Sequence, residues 1–302
     1  METVLITGGS GLIGKHLEIL LKTKGYRVIR LSRAIQNDSF SMNTFYWNIE
    51  KQELDNEAID TADYVIHLAG AGIADKRWTP ERKKEILESR VKSAELLFKK
   101  VKERNRKLKA YITSSGVGYY GAITTETIFK ETDEAANDFL GNTCKAWESS
   151  ADKFNDLGIR TVKLRTAVVL AKVGGAFPRL LTPIKFGFAS AIGDGKQYMS
   201  WIHIEDLCTI YLKAIEDDKM HGAFNAVSTE HVTNKDFTKQ LAHAINRPFW
   251  PIPIPAVLMK TLFGELSIVL LTGSRVSNEK IKNAGYIFKY STLKQAILDL
   301  IS

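Results

Sequence analysis

Thr3-Val4-Leu5-Ile6-Thr7-Gly8-Gly9-Ser10-Gly11-Leu12-Ile13-Gly14 opens the chain and decides how the rest is read. Five β-branched or aliphatic residues make a strand, and glycines then punctuate the entry to an amphipathic helix. The glycines satisfy both G-x-G-x-x-G (Gly9, Gly11, Gly14) and G-x-x-G-x-x-G (Gly8, Gly11, Gly14). Such a turn needs glycine because the backbone bends tightly, must approach a pyrophosphate closely, and must let helix pack on strand. The first helical N–H groups then meet the anion at the positive end of the helix dipole. A glycine pattern alone is weak. At the first βα junction, with the next strand ending near residue 32, it predicts a dinucleotide-binding βαβ unit.

An acid closing the second strand would hold the adenosine ribose 2′-OH and select NAD(H). Here the strand ends Arg30-Leu31-Ser32-Arg33, a hydroxyl and a guanidinium that suit a 2′-phosphate. NADP(H) is therefore favoured over NAD(H).

Outward from this unit, the first 170 residues alternate short β-branched runs with amphipathic stretches, the pattern of a parallel sheet covered by helices. Strands are predicted at Thr3–Thr7, Arg27–Leu31, Phe45–Trp47, Tyr64–Leu68, Lys109–Thr113 and Arg160–Leu170, with helices at Leu12–Lys24, Pro80–Lys102 and Asn142–Leu157. After Leu170 the pattern turns irregular, with Gly174-Gly175, Gly187 and Gly193-Asp194-Gly195 marking loops. A helix near Glu205 and a strand at Ala223–Val227 follow, and from Thr233 come more helices punctuated by Pro251, Pro253 and Pro255. The expected fold is α/β, a Rossmann-like doubly wound parallel sheet with a smaller, mainly helical C-terminal lobe. The domain expectation is a nucleotide-binding domain over 1–228, residues 171–200 crossing to the second lobe, and a substrate-side lobe over 229–302.

With 302 residues, 44% hydrophobic and 25% charged, the composition excludes disorder and allows a sizeable core. No apolar run reaches about 18 residues, so no transmembrane helix is expected. The N-terminus shows no secretory leader, and two cysteines suit a reducing compartment, so a cytoplasmic location is expected. The net charge of +8 is concentrated: residues 76–109 hold 14 Lys+Arg against 5 Asp+Glu. Ile86, Val91, Leu96, Leu97 and Val101 make an apolar stripe there, so the cations read as a solvated helix exterior, with Lys99 to Lys109 facing water. A nucleic-acid groove would interleave aromatics, and only Trp78 and Phe98 occur. Neither nucleic acid nor a membrane is expected as a partner; a small-molecule substrate is.

Further motifs run in order: His67-Leu68-Ala69-Gly70-Ala71, Trp78, Ser89-Arg90-Val91, Gly118-Tyr119-Tyr120-Gly121, Cys144-Lys145-Ala146-Trp147-Glu148, Leu164-Arg165-Thr166, Gly193–Gln197, Ser200–Leu207 and a tail from Pro253 through Ala284-Gly285-Tyr286. Together with the glycine turn they resemble the YfcH-like epimerase-family proteins, an atypical branch of the extended short-chain dehydrogenases/reductases. That branch is sometimes labelled SulA-related cell-division inhibitors and carries a C-terminal domain of unknown function, matched here over about 249–297. The resemblance implies Gly8, Gly11, Leu12, Ile13 and Gly14 on the pyrophosphate and Ser32 and Arg33 on the adenosine phosphate. It implies Leu68 and Ala69 beside the ribose, Glu85 and Arg90 approaching the cofactor, and Val169 near the nicotinamide end.

The superfamily's chemistry uses a Tyr whose pKa is lowered by a Lys four residues on, plus a Ser that orients the substrate oxygen. Anchored on Glu148, the Lys position is Cys144 and the Tyr position Leu140; anchored on Tyr120-Gly121, the Ser position is Gly116. The usual triad is absent. Ser115 (or Ser114) and Tyr120 are candidate substitutes, while Cys144 and His203 read as structural. No metal-ligand spacing and no G-x-S-x-G elbow occur. Two readings stay open: an oxidoreductase or epimerase on a small polar or sugar-like substrate, and a non-catalytic NADP(H)-binding regulatory protein. Substrate and oligomeric state have no handle in the sequence.

Overall fold

A computed structural model describes residues 1–33 and 43–302. The strands are β1 (Thr3–Thr7), β2 (Arg27–Ser32), β3 (Thr44–Asn48), β4 (Glu53–Leu54), β5 (Tyr64–His67), β6 (Ala110–Gly116), β7 (Ile128–Phe129), β8 (Arg160–Thr166), β9 (Val168–Leu170), β10 (Ser190–Ile192), β11 (Trp201–His203), β12 (Gly222–Ala226), β13 (Trp250–Ile254) and β14 (Arg275–Val276). The helices are α1 (Leu12–Thr23), α2 (Asn56–Thr61), α3 (Pro80–Glu103), α4 (Phe139–Asp152), α5 (Ala176–Lys185), α6 (Ile204–Glu216), α7 (Asn234–Ala244), α8 (Ala256–Phe263), α9 (Ile268–Leu271), α10 (Glu279–Asn283) and α11 (Leu293–Ile301).

Among the described residues the main sheet runs β12-β8-β6-β5-β1-β2-β3-β4, parallel throughout except for β4 against β3. The order reverses between β1 and β5, and an open α/β sheet takes its ligand at the carboxyl end of such a switch point. Both faces are covered, so the inner strands are buried on both sides. Val4 and Ile6 of β1 face a core shared with α1 and α6, whereas Leu5 faces one shared with α2 and α3. The two faces alternate along a strand that contains no polar residue between Thr3 and Thr7.

Helix boundaries follow from caps. Thr79 accepts the Arg82 N–H at 3.2 Å ahead of Pro80 in α3, and Asp138 accepts the Gly141 N–H at 2.7 Å to start α4. Of the stripe predicted for α3, Ile86, Leu96, Leu97 and Val101 are inaccessible and Val91 is half-buried. The cations toward its end and beyond are exposed or half-buried, and several are paired instead of facing water alone. Arg104 is bidentate to Asp60 at 2.8 and 2.6 Å, Arg106 reaches Asp63 at 3.3 Å, and Lys109 pairs with Glu2.

Three sequence expectations are corrected. The single strand over Arg160–Leu170 breaks at Ala167: β8 stays in the main sheet, and β9 pairs with β11 instead. The stretch after Leu170 is not irregular but holds α5, whose Phe177, Leu181 and Ile184 are buried. Residues 250–254, expected among helices, form β13 beside β10. Pro251 and Pro253 hold φ near the extended range and cannot donate, and the alternate residues Trp250 and Ile254 do the pairing.

A third core joins residues 170–201 to 232–301, with Phe177, Trp201, Phe237, Ile297 and Leu300 among its buried side chains. The C-terminal segment is tied back through Asp206 of α6. Its buried carboxylate accepts the Tyr286 hydroxyl (2.9 Å) and the backbone N–H groups of Lys289 (2.8 Å) and Tyr290 (2.9 Å). Asp206→Ala would strand these donors and is expected to cost about 2–4 kcal/mol, measured by urea denaturation. A loss below about 0.5 kcal/mol would mean that the tail docks by apolar contact alone.

Candidate functional site

The turn after β1 sits against the loop after β5. Gly8 has φ +70°, and a Cβ there would lie 3.0 Å from the Leu68 carbonyl and the Ala69 nitrogen. A Cβ on Gly14 would lie 2.6 Å from the Gly8 carbonyl oxygen and from Gly9 Cα. The Gly11 N–H returns to Gly8 O at 3.0 Å, and no side chain caps α1. The first-turn N–H groups of Leu12, Ile13 and Gly14 are thus left for an anion. Across the crevice Gly175 crowds Leu12, its notional Cβ 2.7 Å from Leu12 Cδ2 and 3.7 Å from the Val169 carbonyl oxygen. The fold therefore brings Gly8–Gly14, Leu68–Ala69 and Val169 to one crevice.

Ser32 ends β2, and Arg33 follows it, exposed. Glu85 lies on the outer face of α3, its carboxyl held below the usual range by the Arg82 hydrogen bond (2.7 Å), with Lys76 and Arg33 adding to it. Arg90 lies inward. Its guanidinium donates to the carbonyls of Ala71 (3.0 Å) and Ile86 (2.8 Å) and stands 4.9 Å from the Trp147 ring centroid. Burial lowers its pKa to about 10, which leaves it cationic at neutral pH. Arg90 thus braces the loop that carries Leu68 and Ala69 from beneath.

A hydrogen-bond relay that sequence reasoning missed spans the switch point. Thr7 Oγ1 accepts the N–H groups of Leu68 and Ala69, both at 3.2 Å, and lies 2.7 Å from His67 Nδ1. His67 Nε2 lies 3.1 Å from Ser93 Oγ, which donates its one proton to Ser89 O at 2.6 Å. Ser93 must then accept from Nε2–H, so Nδ1 is the acceptor of the Thr7 hydroxyl proton and the ring is neutral. Ser89 Oγ in turn accepts the Ala71 N–H at 2.9 Å. The only signal in the sequence was a polar residue at the end of each of two apolar strands.

The catalytic candidates lie in a second buried network. Ser115 donates to Glu148 at 2.8 Å, and Arg165 binds the same carboxylate at 2.8 and 3.0 Å. Arg165 also donates to the Tyr120 hydroxyl at 2.9 Å, and that hydroxyl donates to Asn225 at 2.8 Å. Burial pushes the Tyr120 pKa up to about 12, against the pull of Arg165. Both hydroxyls are engaged within the protein. Two positions of the usual triad meet directly, a Cβ on Gly116 lying 3.7 Å from Cys144 Sγ, and Leu140 packs against Gly118, two residues past Gly116. Burial raises the Cys144 thiol to about 11. Leu140 packs with Trp78, Phe139 and Leu266. No proton-transfer side chain stands at these positions. His203 is buried, caps α6 and packs with its ring centroid 3.8 Å from that of Tyr290, and no metal-ligand group occurs among the described residues.

A doubly wound sheet with a glycine turn at its switch point defines a nucleotide-binding Rossmann protein. The NAD dependent epimerase/dehydratase family matches residues 4–226, and a domain of unknown function, DUF1731, matches 254–300. The chain belongs to the NAD dependent epimerase/dehydratase family. It is 33% identical to the epimerase family protein YfhF of Bacillus subtilis, over 99% of this chain and 98% of that one. It is 34% identical to the epimerase family protein SAR0825 of Staphylococcus aureus over the full length of both. Among solved structures, human epimerase family protein SDR39U1 with NADPH superposes with a TM-score of 0.89 at 31% identity, over 99% of this chain and 98% of that one. A nucleoside-diphosphate sugar epimerase from Corynebacterium glutamicum superposes at 0.80 and 31% identity, over 98% of this chain but 57% of that one.

His67 offers a pH test of the relay. Burial lowers its pKa from 6.5 to about 4, so below pH 6.5 the unfolded chain takes up a proton that the folded one refuses. Stability should fall between pH 6.5 and 4, by about 3 kcal/mol in total from this residue, and be unaffected by it above 6.5. In urea titrations across that window His67→Asn should show a shallower slope than the unsubstituted chain. Parallel slopes would contradict the neutral ring.

Proposed function

We propose that the chain is an NADP(H)-binding protein whose function turns on the nucleotide and does not use the Ser/Tyr/Lys proton transfer of the superfamily. The observation that carries this reading is the pairing of an intact cofactor turn with a triad site rebuilt as Gly116, Leu140 and Cys144. Gly8, Gly11, Leu12, Ile13 and Gly14 would hold the pyrophosphate, with Leu68 and Ala69 at the ribose and Val169 at the nicotinamide end. Ser32 and Arg33 would take the 2′-phosphate, Glu85 would share the rim with Arg33, and Arg90 would act by holding the 69–71 loop. The NADPH bound by the human relative supports the nucleotide preference. Bound nicotinamide would be able to supply or accept hydride, but no side chain at the triad positions would supply the proton that completes a turnover, so the reading is non-catalytic. A role in redox sensing or regulation, including one connected with cell division, fits these features.

A second reading, an oxidoreductase or epimerase on a small polar or sugar-like substrate, is favoured by one feature. A cavity of about 670 Å³ lies between the Gly193-Asp194 turn and the α8–α9 segment, lined among others by Lys260, Glu265, Ser267 and Thr272. In that reading Ser115 and Tyr120 would be the substitutes for the triad, and the Glu148–Arg165 network would have to open to free them.

One measurement tests the nucleotide preference and a second separates the two readings. Arg33→Ala should weaken NADPH at least about tenfold and leave NADH within about a factor of two, by titration calorimetry. Equal losses for both would contradict a 2′-phosphate contact. Incubation with 4-deuterated NADPH and a panel of carbonyl compounds and nucleotide sugars should leave every product free of deuterium. Deuterium in any product would overturn the non-catalytic reading and establish the second.

A further inference from the structure

Many cations of residues 76–109 are matched by carboxylates, within α3 by Glu85, Glu88 and Glu103 and past its end by Asp60, Asp63 and Glu2, whereas a different face of the molecule carries unmatched cations beside exposed apolar groups. Two segments build that face. Residues 173–193 and 237–264 contain no Asp or Glu at all, yet they hold Arg179, Lys185, Lys239, Arg247 and Lys260. Lys185, Lys239, Arg247 and Lys260 are exposed and enter no ion pair among the described residues.

The same segments expose large apolar side chains. Phe186, Phe188, Trp250 and Ile252 are 76%, 71%, 52% and 79% accessible. They belong to one patch: β10 and β13 pair, the Trp250 backbone N–H reaches Ala189 O at 2.8 Å, and its indole N–H reaches Gly187 O at 2.7 Å, between the two phenylalanines. Ile252 follows Trp250 on the same side of β13. Through Pro255 the strand passes straight into α8, where Val257, Leu258 and Leu262 are exposed and only Met259 is buried. A helix with this much apolar surface is ordinarily covered. Strand addition is not the way to cover this face, because Pro251 and Pro253 remove the donors from the side of β13 turned away from β10.

We propose that this face, Phe186–Phe188 with β13 and the start of α8, docks on an anionic lipid surface. Charge selects the occupant. Aromatic and aliphatic groups seat at the headgroup boundary, and Lys185 and Arg247, which flank the aromatic segments and have no ion-pair partner among the described residues, gain from negative headgroups. No helix among the described residues is long and apolar enough to cross a membrane, so the contact is peripheral. It differs from the sequence-based expectation of no membrane partner, because the exposed apolar face forms only on folding. It stands independently of the nucleotide reading, since none of these residues lies on the cofactor crevice.

The full chain, with and without NADPH, would be floated with phosphatidylcholine vesicles and with vesicles holding about 30 mol% phosphatidylglycerol. Flotation is expected with the anionic vesicles only, and to fall at about 0.5 M salt. Lys185→Glu with Arg247→Glu should cut the partition at least about tenfold, and Phe186→Ser with Phe188→Ser comparably. NADPH affinity unchanged in both variants would certify that they are folded. Wild-type protein that stays unfloated on anionic vesicles, or variants that float as well as wild type, would overturn the proposal. Dimers in sedimentation velocity that dissociate in the phenylalanine variant would assign the face to a second copy and equally overturn it.

Discussion

The absence of a side chain at Gly14 is the constraint on which the first βα unit depends. Helix α1 approaches the β1 turn so closely that a single methyl there would meet the Gly8 carbonyl oxygen at 2.6 Å. That closeness points the uncapped N-terminus of α1 at the crevice between β1 and β5, and it presses Gly8 against the backbone of Leu68 and Ala69. The Thr7–His67–Ser93 relay then locks that loop to α3 by hydrogen bonds that leave no buried polar atom of the imidazole unpaired. The anion site is thus assembled from backbone, and the side chains around it act mainly to hold backbone in place.

The interior beyond β6 shows what stands in place of proton-transfer chemistry. With no lysine at the Cys144 position of α4, Glu148 is left in a buried position, where an unpaired carboxylate would be costly. Arg165 from β8 meets it with two hydrogen bonds, and Ser115, Tyr120 and Asn225 complete the set. Burial opposes the Arg165 charge, and the Glu148 contacts outweigh it. A buried pair of this kind is weak evidence for added stability, but it is intolerant of losing one partner. The network orders the end of the sheet at the place where other members of the fold keep their reactive groups.

The sheet and its binding crevice were legible because they rest on local rules. Apolar runs, glycine spacing and caps such as Thr79 and Asp138 act over a few residues, and β1, α1, β2 and α3 came out within a residue or two of their predicted bounds. What failed depended on distant partners. Ala167 splits what reads as one strand over 160–170 because β11, more than thirty residues on, supplies an alternative neighbour to β9. The Pro-rich 250–254 segment is a strand because β10 lies beside it. Ser115 and Tyr120 looked available in the sequence, and only the arrival of Arg165 and Asn225 shows their hydroxyls engaged.

Charge divides the two levels most clearly. The sequence by itself determined that a nucleotide-binding βαβ unit opens the chain and that the cations cluster in residues 76–109, because strand, turn and helix signals and residue counts need no tertiary partner. Which cations remain unmatched was decided only by folding. Asp60, Asp63 and Glu2 are remote in sequence from Arg104, Arg106 and Lys109 and reach them across neighbouring elements of the sheet. Residues 173–193 and 237–264, distant in sequence, are brought together by the β10–β13 pairing into a face with exposed aromatics and unpaired cations. Electrostatic pairing acts through space over a few ångströms, so chain order carries no record of it.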